Sequence, residues 1–171
     1  MRPSLLHRRR AHENFYGHRG RVPDCAGPQM KLIFLDIDGV LINRESCMKG
    51  FGEVYPPAVA ELNRLIENTD AAIVVSSCWR IGRSVPDLRE LLGTWGVRAR
   101  VIDKTPNHPD GVRGGEIQEW LTEYQKHRYV ESFVILDDDQ DMEELLPRLV
   151  HTNFETGLTA ADCAKAKELL K

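Results

Sequence analysis

Four of the five residues Lys31-Leu32-Ile33-Phe34-Leu35 are large and apolar, and the run stops at Asp36-Ile37-Asp38-Gly39. A strand that is apolar at consecutive positions suits the centre of a parallel sheet covered on both faces. Asp is unfavourable inside strands, which puts Asp36 at the carboxyl end, the edge where open α/β sheets bind ligands. Further apolar runs predict strands at 31–36, 71–75, 97–102, 132–136 and 148–151. Helical spacing predicts helices at 57–68, 85–94, 114–127 and 159–170, the last with Thr159 at its N-cap. Strands alternating with helices build a parallel sheet with right-handed crossovers, so the fold class is α/β with about five strands.

The acids come in two groups. Carboxylates about 4 Å apart repel by roughly 4 kcal/mol at an effective dielectric of 20, so Asp36 and Asp38 call for a cation or a shared proton. The second run, Phe133-Val134-Ile135-Leu136, ends in Asp137, Asp138 and Asp139, with Asp141 close behind. Parallel strands of one sheet end on the same edge, so the two groups converge. Hard oxygen ligands completed by water describe a magnesium site, whereas a calcium loop would need twelve residues closing on Glu. Asp139 and Asp141 read as helix-start charges.

Phe34-Leu35-Asp36-Ile37-Asp38-Gly39-Val40 resembles the first motif of the haloacid dehalogenase (HAD) superfamily, most of whose members are magnesium-dependent phosphatases. Ala71-Ala72-Ile73-Val74-Val75-Ser76-Ser77 resembles the second motif, and Phe133 to Asp138 the fourth. For the third, a Lys or Arg near a helix start, Arg113 is the first candidate and Lys104 the reserve. The resemblance implies a Rossmann-like three-layer α/β/α core with the first strand central and the fourth beside it. It implies Asp36 as nucleophile and Asp38 as acid/base. Magnesium would be held by Asp36, the carbonyl of Asp38 and Asp138, with Asp137 supporting, and phosphate by Ser76, Ser77 and Arg113.

Ser76-Ser77-Cys78-Trp79-Arg80 is similar to a capless HAD subset found in nucleic-acid repair proteins, including polynucleotide end-healing phosphatases. Thr105-Pro106, Arg113-Gly114 with Glu116-Ile117, and Gly157-Leu158-Thr159 fit that subset too. Two readings of the Trp-Arg pair stay open. Arg80 binds substrate while Trp79 stacks a base, or Trp79 lies in the core and Arg80 pairs with an acid. Residues 42–56 and 81–112 are too short to hold a cap domain, so the site should be open and suit a phosphate at the end of a large molecule.

Residues 1–29 carry six Arg against Glu13 and Asp24, a local +4 that leaves −7 for residues 30–171. The basic stretch reads as a disordered tail or a non-native, alternative-start segment, and residues 30–171 as the phosphohydrolase domain. An acidic body argues against broad backbone binding to nucleic acid. Cys25, Cys47, Cys78 and Cys163 have no metal-ligand or redox spacing, which suits reduced thiols in a cytoplasm. Cys78-Trp79-Arg80 is too short for the phosphate loop of a cysteine phosphatase. No stretch reaches the roughly 18 apolar residues of a membrane span. The leading expectation is a magnesium-dependent phosphomonoesterase acting on a terminal phosphate of a nucleic acid or nucleotide. The alternatives are a phosphatase of phosphoproteins or small metabolites, and a receiver-like or non-catalytic phosphate-binding module.

Overall fold

The computed structural model describes residues 29–109 and 111–171. The basic opening stretch, apart from Gln29, and with it Arg8-Arg9-Arg10 and Cys25, lies outside the described residues.

Strand β1 (Met30–Leu35) lies at the centre of a five-stranded sheet, between β2 (Ala72–Val75) and β4 (Val130–Asp137). The full order is β3-β2-β1-β4-β5, with β3 at Val101–Lys104 and β5 at Leu149–His151, and every pairing is parallel. The apolar run of β1 explains its central place, since Leu32, Ile33, Phe34 and Leu35 are all fully buried. Ile33 and Leu35, with Ile73, Val75, Val134 and Leu136, join the core formed with α2 (Pro56–Thr69), α3 (Val85–Thr94) and α5 (Ala160–Leu169). Leu32 and Phe34 join the second core with Ile117, Trp120 and Leu121 of α4 (Arg113–Gln125). The expected three-layer α/β/α arrangement is therefore present, with the first strand central and the fourth beside it.

Most expected elements lie within a residue or two of their observed bounds, and capping boxes at Ser84–Asp87 and Thr159–Asp162 start α3 and α5. One strand differs. Residues 97–102 were expected to form it, but β3 starts at Val101. Asn63 explains the delay: its Nδ2 donates to the Gly96 carbonyl at 2.9 Å and its Oδ1 accepts from Arg98 N at 2.8 Å. That backbone is satisfied by a side chain, so it joins the sheet only after leaving Asn63. Residues 42–56 form the four-residue helix α1 (Arg44–Cys47), capped by Asn43, and a loop leading to α2. Residues 81–112 are taken up by α3, β3 and their connections, so neither stretch holds a further domain among the described residues.

Candidate active site

Three neighbouring strands deliver their ends to one edge of the sheet. Asp36 follows β1, Ser76 and Ser77 follow β2, and Asp137 ends β4 with Asp138 next. The register carries on past the strands, with Asp36 N donating to Leu136 O and Ser76 N to Leu35 O, both at 2.9 Å. Carboxylate oxygens of Asp36, Asp137 and Asp138 can all lie within 4.8 Å of one another, a group able to hold a metal ion. Asp138 reaches it only because residue 39 is glycine. A Cβ there would stand 2.1 Å from the Asp138 carboxyl carbon, and Gly39 has φ +71°. Thr152 Oγ1 and Leu158 N fix the same turn by donating to the carbonyls of Gly39 and Val40 at 2.9 and 2.8 Å. Gly157, at φ +66°, allows that approach, which accounts for the Gly157-Leu158-Thr159 motif.

These acids are held against their electrostatic preference. Burial lifts the Asp36 carboxyl to about 6, although Arg113 and hydrogen bonds from Ser77 and the Ile37 backbone pull it down. Burial and then repulsion by Asp36 lift Asp137 to about 8. Asp138 is also raised, by burial and by Asp139. Asp36 is 6% exposed and Asp137 is wholly buried, with its Oδ2 lacking a hydrogen-bond partner. The donor set is all hard oxygen, and its excess negative charge is what a bound divalent cation neutralises.

Arg113 is the cation the site contains. Its guanidinium lies 3.8 Å from Asp36 and 3.5 Å from Asp137, and its Nη1 is buried without a partner. Asp141 sets its place, accepting from Arg113 N on Oδ2 and from Gly114 N on its carbonyl, each at 3.0 Å. The reserve candidate, Lys104, is elsewhere: its Nζ donates to the carbonyls of Arg80 and Arg83. Ser77 Oγ accepts from Trp79 N at 3.4 Å, while Ser76 Oγ is buried without a partner.

Arg80 lies inside the protein. Of the two readings of the Trp79-Arg80 pair, the substrate contact gives way to the pairing with an acid, for Arg80 is spent on internal partners. It donates to the carbonyls of Ser77, Thr105 and Pro106 and pairs with Glu116 at 2.5 Å. The two side chains are 4% and 3% exposed, which leaves no room for a ligand. Glu116 also accepts from His108 N at 2.9 Å. Arg80 thus ties the loops after β2 and β3 to the first turn of α4, locking Ser76, Ser77 and Arg113 into one rigid unit. The motif residues Thr105-Pro106 and Arg113-Gly114…Glu116 meet at this clamp.

Asp38 lies outside the three-carboxylate group. Trp79 Nε1 donates to its Oδ2 at 2.9 Å and Cys78 Sγ lies 3.7 Å from the same oxygen. Asp38 lines a cavity of about 270 Å³ with Ile42, Cys47, Phe51, Trp79 and Arg83. Trp79 is not free to stack a base, because Phe51 stacks on it at 5.1 Å and the Arg83 guanidinium lies 5.5 Å from its centroid. The Cys78 thiol is raised by burial and by Asp38, the opposite of what a nucleophilic thiolate needs.

Two residues at the site had no motif to mark them. Phe51 is one, and its only signal is a lone large apolar side chain between Gly50 and Gly52. His151 is the other, with Nε2 2.8 Å from the Asp138 carbonyl. Its position at the end of β5, next to β4, is a signal that strand-end reasoning contains. No helix among the described residues is long and apolar enough to cross a membrane.

A family model described as the HAD domain in Swiss Army Knife RNA repair proteins matches residues 32–163. No curated protein and no solved structure matches.

Proposed function

The chain belongs to the family of HAD domains in Swiss Army Knife RNA repair proteins, and from that premise we propose that it is a magnesium-dependent phosphomonoesterase working through an aspartyl-phosphate on Asp36. Its substrate is the terminal phosphate of a nucleic acid or nucleotide, and residues 30–171 are the working unit. The cytoplasmic setting expected from cysteine usage goes with this reading. The observation that carries it is the meeting of Asp36, Asp137 and Asp138, with Arg113 on Asp36 and Asp38 lining the cavity beside them.

Asp36, Asp137, Asp138 and the Asp38 carbonyl would hold magnesium, which when bound neutralises charge on the carboxylates and the phosphate. An Asp36 oxygen attacks phosphorus, and the bond from phosphorus to the leaving oxygen breaks. That oxygen departs with the electron pair and takes a proton from Asp38. Asp38, now ionised, removes a proton from water, and the water oxygen attacks the aspartyl-phosphate. The bond to Asp36 breaks, inorganic phosphate leaves, and Asp38 is protonated again. Arg113, Ser76 and Ser77 offset and orient the phosphate oxygens. Arg80 acts one step removed, by keeping those three groups in register.

Purified protein with magnesium should release phosphate from an aryl phosphate or a 3′-phosphorylated oligonucleotide, and Asp36→Asn should abolish release. Equal turnover by the variant would end the assignment of Asp36. Comparing oligonucleotide ends, mononucleotides and phosphopeptides decides the substrate class.

A further inference from the structure

A leaving group must sit beside the residue that gives it a proton. Asp38 is held by Trp79 Nε1 on the wall of the 270 Å³ cavity, so the cavity is where the group attached to the phosphate belongs. Apart from Asp38, Arg83 and the thiols of Cys47 and Cys78, its lining is apolar, aromatic or glycine. Phe51 dominates it. One side of its ring rests on Trp79, with 15° between the planes, yet the residue remains 94% exposed. Trp79 beneath is buried and meets Trp95 edge-to-face, with 5.4 Å between ring centroids, so Phe51 has a fixed backing. Gly52, at φ +81°, shapes the loop that presents it. A rigidly backed ring with an open face, beside the proton donor, suits a flat partner better than a sugar or an aliphatic side chain.

We propose that the base of the nucleotide bearing the scissile phosphate stacks on Phe51. The inference rests on the phosphohydrolase reading above and adds to it the group that is recognised. Stacking is tolerant of base identity because every base has a π face. The −7 of residues 30–171 offers little attraction to a phosphodiester backbone, so discrimination beyond the bound phosphate falls to this contact. A base that is neither paired nor stacked on a neighbour has its face free for Phe51 without the cost of leaving a duplex, so a single-stranded end is the preferred substrate.

The test compares kcat/KM for three substrates: a single-stranded oligonucleotide with a terminal phosphate, the same strand with its terminal base removed, and ribose 5-phosphate. Wild-type protein should favour the intact end over the abasic one by roughly 5- to 150-fold, the range that one stacked base supplies. Phe51→Ala should lower the rate on the intact end to that on the abasic end, and Phe51→Tyr should restore the preference. Because Phe51 is so exposed, the variant should keep the wild-type melting temperature. Equal wild-type rates on intact and abasic ends, or a preference that survives Phe51→Ala, overturn the stacking role and leave the phosphohydrolase intact. Absence of turnover on all three substrates overturns the phosphohydrolase reading, and the stacking role with it.

Discussion

Removing divalent cations and raising the pH from 6 to 8 should destabilise this protein, and Asp137 is the reason. In the unfolded chain both Asp36 and Asp137 lose their protons near 3.8, whereas in the folded protein they hold them to about 6 and about 8. The folded state therefore keeps protons that the unfolded state has released, so stability falls as pH rises through that window. The two carboxyls ionise as a pair, and the later of the two losses falls between pH 6 and 8. One proton of difference costs 1.36 kcal/mol per pH unit, or roughly 3 kcal/mol over the interval. For a chain of this size that lowers the melting temperature by about 5–10 °C. Scanning calorimetry in chelator between pH 5 and 8.5 measures it. Magnesium should recover the loss, by more at pH 8 than at pH 6, because it binds the ionised acids of the folded state. Asp137→Asn should flatten the chelated profile. A melting temperature in chelator that stays constant or rises from pH 6 to 8, or an Asn variant with the wild-type slope, would refute the buried-acid account.

Glu116→Ala strands the Arg80 guanidinium in the interior and should cost about 3–5 kcal/mol in urea denaturation, since removing one partner of a buried pair leaves an uncompensated charge. A loss below about 1 kcal/mol would mean that water reaches the pair. Gly114→Ala places a Cβ 2.5 Å from the Met142 carbonyl oxygen, which must shift the start of α4 and Arg113 with it. It should cost roughly 1–3 kcal/mol and lower phosphate release. Gly115→Ala meets nothing nearer than 4.0 Å and serves as the control, gaining up to about 1 kcal/mol of helix propensity in the same thermal melts.

The apolar run of β1 by itself required a central strand, because no face of such a strand can meet water. The Asp residues ending β1 and β4 located the magnesium candidates, because parallel strands terminate on a common edge. Local pattern therefore determined the α/β class and the position of Asp36, Asp137 and Asp138, while the place of the fourth strand beside the first was implied by the HAD resemblance alone. It left open whether Arg113 or Lys104 faces the acids, since both lie near loop ends and each had to find its oxygen partners in space. Whether Arg80 meets substrate or an acid was equally open, and Glu116, 36 residues on, with the carbonyls after β3, decided it. Phe51 was marked only by the glycines on either side of it; its backing comes from Trp79, 28 residues away. Periodicity reports which face of an element is buried, whereas the partner of a charge or ring depends on which distant segments fold against it, and only the tertiary structure decided that.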